Sequence, residues 1–499
     1  MSTVPTLRVQ PVNSAETNPS GEFVLYWMIA HRRGTYNFGL QRAVEWARGL
    51  KKPLVILEAL RVGYHWASDR IHRFVIDGME DNACHFEKYA SQGVTYLPYV
   101  EPKQGAGTGL LETLAKKSCL VVTDDFPCFF LPAMVQSVAK RLTVRIEAID
   151  SNGILPIRAA GQQVFSMAFH FRRWLQKNLL PHLQEDQFPQ ADPLVGARLP
   201  TAWQPPANLL KRWPLADLSH LRNGEQGLAN LPIDHDVRIS PIAGGPVAAQ
   251  KVLKSFLQAK LSRYATDRNI PDDDVASGLS PYLHFGHVSV HEVFQKAAEH
   301  EKWKLTKISG KPDGKNSGWW GGSAAHESFL DELITWREIG YNFTSRRRDY
   351  DQFESLPEWA QETLLEHAKD RRSHIYTLED FEKSRTHDPL WNAAQRQLVR
   401  EGKIHNYLRM LWGKKILEWT KHPKEALAIM IELNNKYALD GRNPNSYSGI
   451  FWVLGRYDRA WGPERPIYGT IRYMTSENTA RKVSVKGYLR KYGAERSLF

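Results

Sequence analysis

The sequence predicts an α/β N-terminal domain, arranged as a Rossmann-like, doubly wound parallel sheet, followed by an all-α C-terminal domain. Three observations lead to this prediction. Apolar strand segments alternate with helical segments at the start, the later periodicity is almost wholly helical, and a proline-rich stretch lies between them. We expect a flexible N-terminal tail at 1–20, an α/β domain at 21–186, an interdomain linker at 187–245 and a helical domain at 246–499.

Five apolar segments near the start of the chain have the length and composition of buried strands: FVLYWMI, PLVILEAL, VTYLPYV, CLVVTDD and TVRIEAI. Helical patterns are present near 42–50, 110–117 and 131–141. Because strands that alternate with helices usually pair in parallel, these segments predict a doubly wound sheet. The turn after the first strand, IAHRRGTYNFG, contains no GxGxxG motif, so a dinucleotide clamp at that turn is not supported.

The linker is rich in proline and lacks periodicity, as FPQADP, QPP and RWPLAD illustrate, so we expect a long connector on the surface. Beyond the linker, apolar residues recur at helical spacing in AAQKVLKSFLQAKLSRYA, VSVHEVFQKAAEH and ESFLDELITWREIGYNF. These segments predict a second domain built from helices.

Composition narrows the class of protein. Lys and Arg outnumber Asp and Glu by 66 to 54, and the net charge of +12 favours a polyanionic partner such as nucleic acid, although it also serves solubility. The three cysteines form no CxxC pair, which argues against a disulfide framework or a zinc site and suits a reducing compartment. The N-terminus does not resemble a signal peptide, and no apolar run reaches about 20 residues. We therefore expect an intracellular protein, cytoplasmic and nucleoid-associated in a prokaryote, with no membrane contact and no metal.

The segment at 388–419, DPLWNAAQRQLVREGKIHNYLRMLWGKKILEW, is the most informative in the chain. Asp388 before a proline is a strong helix start, and Gly402 separates a first helix from a second. Trp412 and Trp419 are seven residues apart, which places them on one helical face about 10 Å apart, with Trp391 available from the preceding helix. The three tryptophans either fill a helical core or form a path for electron transfer.

Three further segments carry candidate chemistry. Glu332 and Trp336 are four residues apart on one predicted helix, so they either line a pocket together or serve an ion pair and the core. The turn in SGLSPYLHFG at 277–286 offers amides and hydroxyls to a phosphate. The loop in LNNKYALDGRNPNSYSGIFW at 433–452 either lines the polar edge of a ligand or is an ordinary turn. Walker A, HExxH, GxSxG and kinase motifs are absent, so hydrolytic chemistry lacks its usual signatures.

Taken in order, these segments resemble the photolyase/cryptochrome family, and within it the class II cyclobutane pyrimidine dimer photolyases. The resemblance spans residues 22–485 and rests on FVLYWM, SGLSPYLHFG, FLDELITWRE, YDQFESLPEWA, HDPLWNAAQ, HNYLRMLWGKKILEWT, LDGRNPNSYSG, DRAW and RPIYGTIRYM. Several of these motifs are weak alone, whereas the ordered set is highly specific.

The resemblance implies an N-terminal antenna domain, a helical FAD-binding domain and UV-damaged DNA as the partner. In that family FAD is bound non-covalently and is active as the reduced anion. After excitation by light it passes an electron to a flipped-out pyrimidine dimer, whose cyclobutane ring then splits. A second antenna chromophore is either a deazaflavin or absent. The resemblance therefore implies a deoxyribodipyrimidine photo-lyase activity, a carbon–carbon lyase for DNA repair, in a monomeric protein.

The same resemblance assigns catalytic roles. Glu332 would stabilise the radical anion of the flipped dimer, with Trp336 and Trp452 packed against the damaged bases. The residues that match the class II electron relay are Trp412, Trp391 and Trp419, with Trp412 nearest the flavin. The residues that match DNA-contacting positions are Arg459, Trp461 and Arg472.

Cofactor contacts follow from the resemblance as well. Asn434 would lie at the flavin N5, and Arg409 with Asp440 would form a pair that favours the anionic reduced state. The remaining residues that match FAD-binding positions are Tyr264, Ser277, Gly278, Leu279 and Ser280.

Two alternatives share this fold. A cryptochrome-like flavin photoreceptor would signal through partners, and the retained lesion-side residues argue against it. A photolyase specific for six-four photoproducts needs catalytic histidines beside the flavin, and neither His284 nor His287 matches that placement. A structural nucleic-acid-binding protein is a third alternative, which bound flavin would exclude. The chain departs from the class II pattern at Tyr457 and Pro463, which lie near the lesion-side loop.

Overall fold

The computed structural model describes residues 2–493, which form two compact units whose segments interleave along the chain. Unit 1 comprises the residues up to Gly161, Asn178–Lys254 and Leu279–Glu299. Unit 2 comprises Gln162–Lys177, Ser255–Gly278 and the described residues from His300 onward. Unit 1 contains the sheet, and the regular structure described in unit 2 is helical. The predicted fold class, α/β followed by all-α, is therefore confirmed.

The sheet of unit 1 has six strands in the spatial order β1-β6-β5-β2-β3-β4. The strands are β1 (Val9–Pro11), β2 (Phe23–Met28), β3 (Leu54–Leu60), β4 (Val94–Val100), β5 (Ser118–Asp124) and β6 (Ile146–Ile149). Strands β2 to β6 pair in parallel, and β1 runs antiparallel to β6. The five predicted strands are thus confirmed, and β2 lies at the switch point because β3 and β5 flank it.

Strand β1 lies inside the segment that we expected to be a flexible tail. Val9 pairs with Ile149 at the edge of the sheet. The guanidinium of the buried Arg8 donates to three backbone carbonyl oxygens after β6, at 2.6–3.2 Å. The predicted flexibility is therefore wrong for residues 6–11. A strand of three residues is too short to show a period in the sequence, and it is ordered by backbone pairing and by one buried arginine.

The helices of both units account for most of the remaining regular structure. They are α1 (Phe38–Leu50), α2 (Asp69–Glu87), α3 (Leu110–Lys117), α4 (Leu131–Ala139), α5 (Ala168–Asn178), α6 (Ala207–Arg212), α7 (Leu218–Leu221), α8 (Pro246–Ala259), α9 (Tyr264–Asp267), α10 (Ser280–His284), α11 (Val290–His300), α12 (Ala324–Leu330), α13 (Arg337–Arg346), α14 (Glu358–Glu366), α15 (Leu378–Glu382), α16 (Pro389–Glu401), α17 (Asn406–Glu418), α18 (Pro423–Tyr437), α19 (Pro444–Val453), α20 (Ser476–Lys482) and α21 (Lys486–Tyr492). Within residues 2–493, none of them has both the length and the apolar composition needed to cross a membrane.

The turn after β2 is closed by a carboxylate. Asp124, at the end of β5, accepts hydrogen bonds from the amides of Ile29, Ala30 and His31 at 2.8–2.9 Å and from the Tyr26 hydroxyl at 2.6 Å. Because these amides already bind a negative charge of the protein, they do not offer a site for the phosphates of a dinucleotide. This arrangement gives a physical reason for the missing glycine-rich motif.

The proline-rich stretch at 187–245 packs on unit 1. It contains α6 and α7, and its Leu218, Leu221 and Leu228 belong to a buried cluster with Val75 and Met79 of α2. These leucines are part of the unit 1 core, so the stretch is more than a surface connector. The compact units therefore divide the chain differently from the boundaries expected at 186 and 245, which remain predictions about domain organisation.

Glu58 provides a test of how unit 1 is held together. The Glu58 side chain is fully buried, forms an ion pair with Arg32 at 3.0 Å, and accepts hydrogen bonds from Asn82 and Tyr96. Glu58→Ala leaves the Arg32 guanidinium buried without its counter-ion, so we expect the free energy of unfolding to fall by about 3–5 kcal/mol. Urea denaturation followed by circular dichroism measures this change.

The control for this prediction is Glu112→Ala, which removes a more exposed partner of Arg141. We expect it to cost less than about 1 kcal/mol, because exposed ion pairs contribute little. Equal and small losses in both variants would contradict the role given to Glu58.

Candidate functional site

The predicted helix ESFLDELITWREIGYNF is interrupted by one turn of π-helix. Helix α12 ends at Leu330, the π turn covers Asp331–Trp336, and α13 begins at Arg337. Within the π turn Glu332 and Trp336 are half-buried, whereas the other four residues are buried. Turns of this kind are common at functional sites, and the two accessible side chains lie on one face of the helix. The turn thus presents a carboxylate and an indole side by side.

Glu332 forms an ion pair with Arg268, with 2.5 Å between Oε1 and Nη1. Burial raises the pKa of the Glu332 carboxyl, and the charge of Arg268 opposes that rise. The Glu332 side chain is nevertheless 32% exposed, so the carboxyl lies in a recess surrounded by protein that solvent still reaches. A carboxyl in such a recess suits a hydrogen bond to the polar edge of a ligand.

Tyr264 lies next to this ion pair. Its buried ring contacts Phe256 and Phe329, with 5.6 Å between centroids in each case, and the Arg268 guanidinium lies 5.3 Å from its centroid. Burial, followed by the charge of Glu332, raises the pKa of the Tyr264 hydroxyl. The structure therefore brings Tyr264, a predicted cofactor residue, close to Glu332. Sequence reasoning missed Arg268, whose only signal is its position one helical turn after Tyr264.

Asn434 is buried near the end of α18 and is held by neighbouring polar groups. Its Nδ2 donates to the Ser446 hydroxyl in the first turn of α19 and to Asn435 Oδ1 at 3.2 Å. Asn443, which precedes α19, accepts the Ser446 amide at 2.9 Å. These bonds fasten the loop predicted in LDGRNPNSYSG, which the structure confirms between α18 and α19. The Asn434 carboxamide is consequently held between two helices.

Arg409 of α17 pairs with Asp440 in that loop, with its Nη2 at 3.3 and 3.2 Å from the two carboxylate oxygens. The pair joins α17 to the segment after α18, so the predicted pairing is present in the structure. Its predicted contact with a flavin remains a prediction.

Several buried polar atoms of unit 2 have no hydrogen-bond partner within the described residues. They include Gln395 Nε2, Arg409 Nε, Asn445 Oδ1 and both ring nitrogens of His405. An unpaired buried donor or acceptor costs about 1–3 kcal/mol, so such atoms indicate a place for a ligand or water. An isoalloxazine ring has both donors and acceptors, and this mixed set of atoms fits it. Among residues 2–493, no group of three or more His, Cys, Asp or Glu side chains is placed to hold a metal ion.

The predicted helix boundaries in the tryptophan segment are confirmed. Asp388 accepts the amides of Leu390 and Trp391 at the start of α16, and Gly402 follows its end with a φ of 76°. Helix α17 ends at Glu418, one residue before Trp419, so Trp419 lies just beyond the helix that we expected to contain it.

The three predicted relay tryptophans are buried and in contact. The Trp391 indole donates to the backbone oxygen of Trp412 at 3.0 Å, and the rings of Trp391 and Trp419 have centroids 6.0 Å apart at an angle of 70°. The Trp412 indole donates to Gln395 Oε1 at 2.8 Å. These contacts form a continuous path from Trp412 through Trp391 to Trp419.

Two further rings extend this path towards the surface. The centroid of Trp419 lies 5.7 Å from that of Tyr376 and 4.9 Å from that of His387. The Tyr376 hydroxyl is hydrogen-bonded to His387 Nδ1 at 2.8 Å, and the His387 side chain is exposed. Sequence reasoning missed both residues, because they meet through loops that show no periodicity.

The three predicted DNA-contacting residues lie together. The guanidinium groups of Arg459 and Arg472 are 4.6 and 4.1 Å from the Trp461 ring centroid, and Arg472 is also 5.6 Å from that of Trp452. Asp458 pairs with Arg472 at 2.8 Å and accepts the Trp461 indole at 3.1 Å. Arg472 therefore links the residues predicted to contact DNA with Trp452, a predicted catalytic residue.

Lys414 of α17 is a buried cation beside Trp452. Its Nζ donates to the carbonyl oxygen of Val453 at 2.5 Å and lies 5.8 Å from the centroid of the Trp452 ring. Burial lowers the pKa of Lys414 to about 7, and the charge of Asp458 opposes this shift. The charge next to Trp452 thus titrates near neutral pH. No sequence pattern indicates this burial, since lysines are usually exposed.

The predicted phosphate-binding residues Ser277, Gly278, Leu279 and Ser280 lead into α10. Gly278 has a φ of 71°, a backbone conformation that favours glycine, and Leu279 is buried. Ser277 and Gly278 belong to unit 2, whereas Leu279 and Ser280 belong to unit 1. Their contact with a phosphate remains a prediction.

Known proteins align with this chain over almost its whole length. The chain is 33% identical over 482 residues to the deoxyribodipyrimidine photo-lyase of Methanothermobacter thermautotrophicus, which covers 97% of each chain. It is 35% identical over 475 residues to the deoxyribodipyrimidine photo-lyase of Arabidopsis thaliana, which covers 93% of this chain and 88% of the other. No protein-family model matches the chain.

The crystal structure of a class III photolyase from Agrobacterium tumefaciens is similar in fold. The TM-score is 0.64 at 16% sequence identity, and the match covers 96% of this chain and 88% of that chain. At 16% identity this similarity concerns the fold alone. The two sequence relatives are similar enough, over enough of their length, to show membership of a common family. The chain belongs to the photolyase/cryptochrome family.

Proposed function

We propose that this protein repairs cyclobutane pyrimidine dimers in UV-damaged DNA, as a class II deoxyribodipyrimidine photo-lyase driven by light. FAD, bound without a covalent link in unit 2, is the cofactor, and a dimer flipped out of the DNA is the substrate. The two photo-lyases described above align along nearly the entire chain, which supports this activity.

The observation that carries the proposal is the position of Gln395. Its Oε1 accepts the indole hydrogen of Trp412, the first tryptophan of the proposed relay, while its buried Nε2 has no partner among residues 2–493. The Gln395 carboxamide therefore binds Trp412 through its oxygen, while its nitrogen is a donor that has no acceptor within the described residues. A flavin that accepts this hydrogen bond would lie within electron-transfer reach of Trp412, whereas a plain helical core has no need of the unpaired amide.

The polar residues of unit 2 suit the flavin in distinct ways. Gln395, Arg409 and Asn445 supply the unpaired atoms, and Asn434 is held in place for a polar contact. FAD, when bound, reduced and excited by light, supplies the electron that opens the cyclobutane ring. The guanidinium of Arg409 places positive charge in this region. Its ion pair with Asp440 fixes the orientation of the guanidinium group.

On the substrate side, the accessible residues present a carboxyl and two indoles. Glu332 offers a hydrogen bond to a polar base edge, and Trp336 and Trp452, both half-buried, offer aromatic faces for stacking. Arg472 and Arg459, which both contact the Trp461 ring, continue this surface with positive charge, which suits the DNA backbone. Flipping a base pair costs a few kcal/mol and is cheapest at a distorted lesion, so this surface is expected to prefer damaged DNA.

The relay has a separate task, which is to keep the cofactor reduced. An electron that leaves Trp412 would be replaced from Trp391, whose indole is hydrogen-bonded to the Trp412 backbone, and then from Trp419, whose ring contacts that of Trp391. A reductant in solution must then restore Trp419. The order of these contacts agrees with the class II relay, and it is one reason for assigning the chain to that class.

A Glu332→Ala variant tests the substrate side. Because the variant loses a hydrogen bond to the lesion but keeps the polar atoms assigned to FAD, we expect normal flavin content and a repair rate lower by about tenfold or more. Flavin absorbance and light-dependent repair of an oligonucleotide with one cyclobutane dimer measure the two quantities. Glu299→Ala, at an exposed position of α11, is the control. Loss of flavin in Glu332→Ala would show that Glu332 belongs to the cofactor site.

A Trp412→Phe variant tests the relay. Phenylalanine is much harder to oxidise than tryptophan, so we expect light-driven reduction of the bound flavin to slow by at least about tenfold, whereas enzyme that is reduced chemically beforehand repairs normally. Trp213→Phe removes another buried indole, one that donates to the Ala106 carbonyl oxygen in unit 1, and serves as the matched control. Equal slowing in both variants would contradict the relay.

A further inference from the structure

The residues assigned to DNA contact belong to one loop, residues 458–472, which we call the DNA loop. Its ends are joined internally, since Asp458 pairs with Arg472 and the Trp461 amide donates to the Thr470 carbonyl oxygen at 2.8 Å. Its tip closes on itself through two backbone hydrogen bonds between Arg465 and Gly469, at 3.0 and 2.7 Å. The loop is thus a compact hairpin, and its orientation depends on what anchors it.

The tip of the DNA loop is anchored on the chain around the end of α14, while the hydroxyl of the buried Tyr468 is hydrogen-bonded to the Lys414 carbonyl oxygen of α17 at 2.8 Å. The Thr470 amide donates to Thr363 Oγ1 at 3.0 Å, and the Ile467 amide donates to Asp370 Oδ2 at 2.8 Å. His367 lies between two carboxylates, with Nδ1 at 2.5 Å from Asp370 Oδ2 and Nε2 at 2.6 Å from Glu464 Oε1. His367 therefore bridges the chain after α14 and the tip of the DNA loop.

The geometry at His367 favours a protonated ring. A neutral imidazole carries one N–H, so one of its nitrogens would face a carboxylate oxygen lone pair with no hydrogen between them. Only imidazolium donates to both carboxylates at once. In agreement, the hydrogen bonds to Glu464 and then to Asp370 raise the pKa of His367, and the hydrogen bond from Ile467, followed by that from His367, lowers the pKa of Asp370.

We propose that His367 is a positioning residue for DNA binding, which in its protonated form holds the DNA loop through Glu464 and Asp370. This inference rests on the proposed function, since that function places residues 458–472 on DNA. His367 itself touches neither the lesion nor the cofactor in this account. His367 acts through Glu464 at the tip of the DNA loop and through Asp370, whose carboxylate accepts the Ile467 amide.

The direction of the pH effect follows from the raised pKa. A histidine whose pKa is higher in the folded protein than in the unfolded chain stabilises the folded arrangement fully below the unfolded value of about 6.5. That stabilisation is lost as pH rises through the folded pKa. The charged groups that shift this pKa are Glu464 of the loop and Asp370 of the following turn, and Arg372 in turn acts on Asp370. The anchor is therefore expected to hold at low pH and to loosen at high pH.

Hydrogen exchange of the full-length protein without DNA tests the anchor directly. We expect the amides at 464–470 to exchange about two- to fivefold faster in His367→Gln than in the unmodified protein at about pH 6. A change of this size corresponds to the loss of one ion pair of modest strength. At about pH 9 the difference between the two proteins is expected to shrink, because His367 loses its charge as pH rises through its raised pKa. His300→Gln, at the exposed end of α11, is the matched control. A difference that is absent, or that is the same at both pH values, would overturn the proposal.

A Glu464→Ala variant separates the clamp from simple electrostatics. Removal of a negative charge near DNA tightens binding if charge alone matters, whereas loss of the clamp weakens binding. We expect weaker binding of a dimer-containing duplex by Glu464→Ala at about pH 6 and matched salt, with the deficit shrinking by about pH 9. Tighter binding at both pH values would contradict the clamp.

The two proposals fail in different ways. If the unmodified protein binds neither damaged nor intact duplex, the DNA-repair function fails, while the hydrogen-exchange result still decides whether His367 anchors the loop. If DNA binds and the His367→Gln exchange pattern does not depend on pH, the function stands and the positioning role of His367 is wrong.

Discussion

Buried hydrogen-bonding atoms must find partners, and the helical unit leaves several of them without one around its tryptophans. Gln395 Nε2, Arg409 Nε and Asn445 Oδ1 are all buried, and the described chain offers them nothing to bind. A protein does not keep such atoms in its interior without a gain elsewhere, since each costs about 1–3 kcal/mol. A planar ligand with donors and acceptors at its edge removes this cost. The proposed flavin would supply partners of this kind in unit 2.

The charged groups of the proposed cofactor side and those of the Glu332 recess differ in how far solvent reaches them. The Arg409–Asp440 pair and the unpaired amides belong to the side assigned to the cofactor, where burial strengthens each electrostatic contact. The Glu332–Arg268 pair lies in a recess that solvent reaches, and burial raises the pKa of its carboxyl. The π turn makes this recess possible, because it exposes two side chains of an otherwise buried segment.

Much of the fold and part of the site could be predicted from the sequence. Buried parallel strands read as continuous apolar runs, and for this reason β2 to β6 were found. The caps at Asp388 and Gly402 are local, so they too were predictable. Strand β1 was not, because its order comes from pairing with a distant edge. Helix α2 was also not predicted, although the long crossover that parallel strands require points to it.

The residues that sequence reasoning missed share a cause. Each of these residues acts through a contact with a different element of the fold, and the residues are Arg268, Gln395, Lys414 and His367. No spacing rule marks an arginine that will meet a glutamate 64 residues away. Motif resemblance found Glu332 and the three tryptophans because their sequence neighbours are distinctive. The partners that tune them are surrounded by ordinary sequence, so only the folded chain identifies them.

The most direct test of the account is light-dependent repair by the purified, reduced protein. An oligonucleotide with one cyclobutane dimer is illuminated with blue or near-ultraviolet light, beside a dark control and a matched oligonucleotide with a six-four photoproduct. The account predicts repair of the cyclobutane dimer alone, and only in the light. Bound flavin with no repair of either lesion would contradict it and would point to a photoreceptor, whereas repair of the six-four photoproduct would contradict the assigned lesion.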